Sequence, residues 1–197
     1  MYEIALFFNN TNFNWSIIES AAVFFSIIYV VLAAKQNIWC WIFAAISVIL
    51  YIYICINSKL FAETILQIFY LFMAAYGYYN WNNVEKNSIT QWSISKHLLI
   101  IFLGTIITFF VGFYFTTYTS AKMPIIDSFT TIFSIIATYM VTKKVLENWL
   151  YWIVIDLASI YLYLSRELHL TSVLFLIYTV IAIFGYFLWI KKLEINV

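Results

Sequence analysis

Five polar or aromatic residues recur at helical spacing inside one apolar stretch: Trp149, Trp152, Asp156, Ser159 and Tyr163, separated by three, four, three and four positions. In a helix that spacing puts all five on one stripe. Indole faces attract cations through the ring quadrupole and a carboxylate adds a charge partner, so the stripe suits a flat cationic ligand. The plainer reading is that the tryptophans pack and Asp156 bonds a neighbouring helix. A second stripe, Glu63, Gln67, Tyr70, Ala74 and Gly77, offers an amide for hydrogen bonding and ends in small residues that let helices approach closely. A third, Asp127, Thr131, Ser134 and Thr138, presents hydroxyls that either line a polar cavity or bond back to their own carbonyls.

The elements that position these groups must lie in a bilayer. Of 197 residues, 65% are hydrophobic and 10% charged, against roughly 25% charged in soluble domains. The length accommodates about seven spans of about 20 residues and leaves no soluble catalytic domain. A net charge of +1 argues against nucleic acid as a partner, since that needs a basic patch. Cys40 and Cys55 sit in apolar runs and read as small buried hydrophobes rather than a disulfide or metal pair. The first fifteen residues lack a basic start and a cleavage site, so the first span is expected to direct insertion itself.

Hydrophobic segments run approximately over 16–34, 38–56, 61–81, 98–116, 127–144, 147–165 and 170–190, predicting an all-α membrane protein with seven transmembrane helices. With the N-terminus outside, Lys35, Lys86, Lys96, Lys143, Lys144, Lys191 and Lys192 fall inside, against Lys59, Lys122 and Arg166 outside. The positive-inside rule therefore predicts an external N-terminus and a cytoplasmic C-terminus. Trp15, Trp81, Trp92 and Trp189 lie near span ends, where interfacial anchoring is expected. The only proline, Pro124, falls outside the predicted spans, and the fourth span has no ionisable group, as suits a lipid-facing connector.

The chain also repeats itself. Residues 66–81 align with 174–189 at an offset of 108, keeping Leu, Tyr, Ala, Gly, Tyr and Trp in register, and residues 18–28 align with 126–136 at the same offset. Two blocks in one order at one offset predict a duplicated unit in parallel, which in so apolar a chain marks a transporter. Three spans per unit need one extra crossing between them to restore the orientation. The predicted arrangement is a 3+1+3 parallel repeat: residues 1–97 with the first three-helix bundle, 98–126 with the linker helix and turn, and 127–197 with the second bundle and tail. Packing positions are shared while ligand chemistry is not: Glu63 and Gln67 correspond to Thr171 and Phe175, whereas Tyr70 corresponds to Tyr178.

Acids in a bilayer cost about 2.5–3.5 kcal/mol at a helix centre, so they tend to face the interior and mark a pathway. Asp156 is the deepest; Glu19, Glu63 and Asp127 lie near external span ends, as solvated helix starts or as entrance residues. A retinal-binding protein needs a lysine in its seventh span, and residues 170–190 contain none. His97 and His169 sit apart at span edges, so neither a metal nor another cofactor is expected, and no Walker A motif is present.

The stretch from Ile125 to Leu164, and the block from Leu170 to Trp189 that follows it, resemble the PnuC family of bacterial vitamin transporters. The resemblance rests on Trp149, Trp152 and Asp156 in a W-x-x-W-x-x-x-N/D element and on Leu66, Gln67, Tyr70, Gly77, Tyr78 and Trp81 in the third span. It implies a SWEET-like 3+1+3 fold in the bacterial inner membrane. It also implies facilitated diffusion of nicotinamide riboside, with rocking bundles gated by Tyr70 and Tyr178, and trapping by a cytoplasmic kinase. Relatives carry thiamine or riboflavin, and Asp156 stands where some members have Asn. The substrate-binding residues expected are Trp149, Trp152, Asp156, Gln67, Tyr70, Glu63, Tyr178, Asp127, Tyr163 and Ser159. A substrate-binding membrane subunit of a larger ATP-driven vitamin importer is the alternative from another class; a homo-oligomer is compatible with either reading.

Overall fold

The computed structural model describes residues 17–83, 88–119 and 122–195 and is all-helical. Its helices are α1 (Ile17–Ala34), α2 (Cys40–Asn57), α3 (Phe61–Asn82), α4 (Ile94–Tyr118), α5 (Pro124–Thr142), α6 (Asn148–Ser165) and α7 (His169–Ile195). Each coincides with a predicted span; Trp15, Lys86 and the N-terminal segment lie outside the described residues. Five helices are long and apolar enough to cross a membrane; the other two, α3 and α6, are those that carry the polar stripes through Gln67 and Asp156. Two starts differ from expectation. Pro124 opens α5 instead of preceding it, because a proline lacks the N–H that the first turn leaves unpaired anyway. α4 begins at Ile94, so Lys96 and His97 fall in its first turn.

Four helices end on a left-handed residue, and none of the four is glycine: Gln36, Lys59, Lys144 and Glu167 have φ of 57°, 57°, 51° and 63°. Such a conformation costs a non-glycine residue about 1–2 kcal/mol. What offsets it is the same pair of bonds at each end. After α1, for example, the Gln36 N–H donates to Ala33 C=O and the Asn37 N–H to Leu32 C=O, both at 2.9 Å, so that carbonyls the helix leaves orphaned find donors. Gln36 and Lys144 are 108 residues apart, as are Lys59 and Glu167.

Helix packing follows the same arithmetic. α1 packs on α2 and α2 on α3; α5 packs on α6 and α6 on α7; the two triplets meet where α1 contacts α7 and α3 contacts α5. The Trp81 indole N–H donates to Val141 C=O at 3.2 Å, and the Trp189 indole N–H donates to Ala33 C=O at 3.3 Å and Ala34 C=O at 3.1 Å. Trp189 is Trp81 plus 108, and Val141 is Ala33 plus 108. Each triplet's tryptophan thus caps the last turn of the other's first helix. Trp41 and Trp81 meet edge to face at 5.3 Å, as do Trp149 and Trp189 at 5.5 Å, and Trp81 and Trp189 touch at 6.2 Å. Four rings therefore run across the molecule in one layer. The expectation that Trp81 and Trp189 anchor at the interface is corrected: both are buried, at 3% and 0% exposure, because their stripe faces the opposite triplet and their N–H groups find helix-end carbonyls there.

This layer lies at the lysine-rich end of the molecule. Lys144 is buried there with its ammonium 4.5 Å from the Trp81 ring centroid, and burial, followed by the nearby Lys192, pushes its pKa down to about 8. The segment before α4 is pinned to the same end: Thr90 N–H donates to Lys144 C=O at 3.0 Å and Leu146 N–H to Thr90 C=O at 2.8 Å. α4 stands apart, packing on α5 through Gly104, Thr108 and Gly112 while most of its other side chains point outward.

Gly77 and Gly185 make the ring layer possible. A methyl group at Gly77 would strike the Trp41 indole, and one at Gly185 would sit 2.8 Å from Trp149 Cε2. Substituting Gly185→Val is expected to destabilise the protein by about 1–3 kcal/mol through overpacking, read as a lower thermal midpoint in detergent beside an Ile177→Val control on the exposed face. An unchanged midpoint would show that the layer is looser than described.

Candidate functional site

Between the two triplets lies a cavity of about 390 Å³, lined by every helix except α4. The size falls in the range of small-molecule sites. Its wall toward the lysine-rich end is Trp41 and Trp149, with Trp81 and Trp189 packed behind them. Both lining indoles are 2% exposed, and among the described residues their N–H groups have no hydrogen-bond partner.

Helical periodicity brings seven of the ten expected residues to this cavity: Trp149, Trp152, Asp156 and Tyr163 from α6, Gln67 and Tyr70 from α3, and Tyr178 from α7. Asp156 is 2% exposed and is the only acid among the lining residues; no lysine, arginine or histidine lines the cavity with it. No salt bridge reaches it among the described residues. Tyr163 stacks on Phe175 at 5.2 Å, and Phe175 meets Tyr178 edge to face at 5.8 Å, extending the aromatic wall onto α7.

Tyr178 and Tyr70 occupy matching places. The Tyr178 hydroxyl shares a hydrogen bond with Ser26 of α1, and Tyr70 and Ser134 of α5, the residues at the equivalent positions, both line the cavity. Again each pair takes one residue from either triplet, and the two pairs differ by 108 at both residues.

The structure places the other three expected residues elsewhere. Glu63 is exposed in the first turn of α3, where the macrodipole favours an anion. Asp127 opens α5 and is ion-paired with Arg166, Oδ2 to Nη2 at 2.7 Å, while Arg166 also donates to Lys122 C=O at 2.8 Å. That cluster ties the start of α5 to the α6–α7 turn. Ser159 is buried at 2% exposure but does not line the cavity. Lining residues that the stripes left out come chiefly from the first triplet: Ser26, Tyr29, Trp41, Ser47 and Tyr51. Two carried a signal in the repeat, since Trp41 aligns with Trp149 and Ser26 with Ser134. Ser47 is occupied structurally, donating to Ala22 C=O at 2.8 Å.

What the arrangement can do is hold a small ligand whose positive charge meets one carboxylate and whose flat face meets rings. It offers no nucleophile–base pair, and among the described residues no metal-binding group of His, Cys, Asp and Glu occurs.

Comparison with known proteins places this geometry. A family model described as "Nicotinamide mononucleotide transporter" matches residues 16–191. A protein of Escherichia coli (strain K12) named nicotinamide riboside transporter PnuC is 23% identical over 209 residues, covering 91% of this chain and 87% of that one. One of the same name from Neisseria mucosa is 24% identical over 192 residues, covering 90% and 73%. The solved structure described as the vitamin B3 transporter PnuC superposes with a TM-score of 0.74 at 22% identity, covering 98% of this chain and 87% of that one. These relatives are transporters and not enzymes, and the shared fold includes all seven helices described above. With the family model matching nearly the whole chain and the fold shared, the chain belongs to the nicotinamide mononucleotide transporter family of membrane transporters.

Proposed function

We propose that this protein takes up nicotinamide riboside across the bacterial inner membrane by facilitated diffusion. The observation that carries the reading is the lone, buried Asp156 in an aromatic cavity without any cationic side chain. A carboxylate so placed favours a permanently charged ring over a neutral one. Trp149 and Trp152 hold the faces of the pyridinium, Asp156 balances its charge, and Gln67, Tyr70 and Tyr178 hydrogen-bond its amide and sugar hydroxyls. The absence of lysine and arginine from the lining favours the riboside over the mononucleotide, whose phosphate has no partner there and would meet Asp156 with the same sign. Phosphorylation by a cytoplasmic kinase then traps the substrate, because the product no longer fits the cavity electrostatically.

The seven helices all span the membrane as a SWEET-like 3+1+3 repeat. Bundles 1–97 and 127–197 are related by rotation about the membrane normal, and 98–126 links them, with the lysine-rich end cytoplasmic. Reciprocal packing of α1 on α7 and α5 on α3, with the paired Trp–carbonyl bonds, supports this arrangement. Transport is rocking of one bundle against the other, during which the bond between Ser26 and Tyr178 breaks and the equivalent Ser134 and Tyr70 come together.

Thiamine is the second reading, since it is also a cation that Asp156 would balance; riboflavin, a neutral ring system, fits less well. Two measurements decide between these. In a binding panel of nicotinamide riboside, thiamine, riboflavin and nicotinamide mononucleotide, the riboside should bind best. Asp156→Ala and Trp152→Ala should each weaken it by about tenfold or more, the equivalent of about 1.4 kcal/mol or greater. A panel indifferent to both substitutions removes the site assignment. Purified protein alone in liposomes should admit labelled riboside down its gradient without ATP. Binding without entry would instead make the chain the binding subunit of a larger importer.

A further inference from the structure

A second cavity, about 420 Å³, lies outside the paired bundles, in the angle between α4 and α6 with α5 as its floor. It exists because α4 packs on α5 and not on α6. Its walls are apolar: Ile101 of α4, Phe129 and Phe133 of α5, and Leu150 and Val154 of α6. In a bilayer such a space faces hydrocarbon, and no backbone or side chain of the described residues fills it.

The groove has a polar mouth at the lysine-rich end. His97 Nδ1 is 3.0 Å from the Tyr151 hydroxyl, and its Nε2, which has no hydrogen-bond partner among the described residues, is 3.7 Å from Glu147 Oε2. Glu147 Oε2 also accepts from the Trp92 N–H at 3.3 Å, and the exposed Lys96 ammonium lies 3.5 Å over the Trp92 ring. From His97 to Thr105 on α4, and from Glu147 just before α6 to Ile155 within it, the lining runs over nine residues, eight helical rises or about 12 Å. One leaflet's hydrocarbon is about 15 Å deep. The groove therefore starts at head-group level and ends near the bilayer centre.

We propose that this groove binds one acyl chain of a phospholipid from the lysine-rich leaflet, with a phosphoethanolamine head group whose phosphate meets Lys96 and whose amine meets Glu147. Among the described residues the mouth pairs the carboxylate of Glu147 with the ammonium of Lys96, matching a zwitterion rather than a second anion. Lipid held there fills the space that would otherwise let α4 tilt away from α5, so the connector helix is seated by lipid as well as by its small-residue stripe. This inference does not depend on the substrate named above.

Native mass spectrometry of the full-length protein in mild detergent, titrated with phosphatidylethanolamine or phosphatidylglycerol, tests it. One lipid should be retained, with an ethanolamine preference of about fivefold, the factor a partly exposed charge contact of about 1 kcal/mol supplies. Val154→Trp and, on the opposite wall, Thr105→Trp should each abolish retention, while Phe110→Trp on the exposed face of α4 leaves it intact. Glu147→Gln should keep the lipid and lose the preference. Retention unchanged by both groove tryptophans, or no retained lipid in the parent protein, overturns the proposal. So does a dimer that either groove tryptophan dissolves, since the occupant would then be a second copy of the chain.

Discussion

Without water to expel, transmembrane helices are held by close packing and by hydrogen bonds that have nowhere better to go. In this protein that constraint is met chiefly by the two tryptophan bonds between triplets, Trp81 to Val141 and Trp189 to Ala33 and Ala34. Such bonds are modest, averaging about 0.6 kcal/mol in measured membrane cases. Their weight comes from position. Each indole fills the gap between triplets, satisfies helix-end carbonyls that cannot be hydrated there, and props a second tryptophan against a glycine. The cavity wall, the close approach of α2 to α3 and of α6 to α7, and the contact between halves all rest on this one layer.

The layer also explains why the joint is suited to motion. Polar contacts between the triplets are few in kind: the bonds of two equivalent tryptophans at one level and the Ser26–Tyr178 bond at the level of the cavity. Within each triplet, by contrast, each helix packs extensively on its neighbour, as where Ser47 of α2 donates to the carbonyl of the buried Ala22 of α1. Stiff units joined by a small number of matched polar contacts favour movement as bodies over internal deformation. The left-handed helix ends fit the same picture, since bonds within each turn hold the loops without calling on the other half.

Much of this was legible in the sequence, for reasons that can be named. Helix positions followed from hydrophobic length broken by short polar turns, and the repeat followed from residues that hydrophobicity does not dictate, such as Gly77 and Gly185. Seven cavity residues followed from stripes of period 3.6. What a stripe leaves open is depth: it says which residues lie together on a helix but not how far in they sit. Glu63 and Asp127 were read near the external ends of their spans, and the structure puts each in the first turn of its own helix. Trp81 and Trp189 were read by their place along the span, although they continue the inward stripes through Gly77 and Gly185. Ser26 and Trp41 were missed because the first triplet has no buried acid to draw attention, yet their places follow once the offset of 108 is applied to α2 as well as to α1 and α3; the place of Tyr51 does not, since its counterpart Ser159 lies outside the lining.

Symmetry in the frame and asymmetry in the lining answer different demands. Two like bundles give two like interfaces, which is what a rocking motion between equivalent end states requires. A single charged heterocycle has no such symmetry, and a second carboxylate opposite Asp156 would repel it across a low-dielectric cavity while adding its own burial cost. The first triplet accordingly has Val48 where the second has Asp156, and Ala44 where the second has Trp152. It contributes an amide, Gln67, where the second has Phe175. Several lining pairs are kept in duplicate, Trp41 with Trp149, Ser26 with Ser134 and Tyr70 with Tyr178, while the carboxylate of Asp156 and the amide of Gln67 each occur on one side only. On the function proposed above, one half would hold the charge and the other the polar edge of the same ligand.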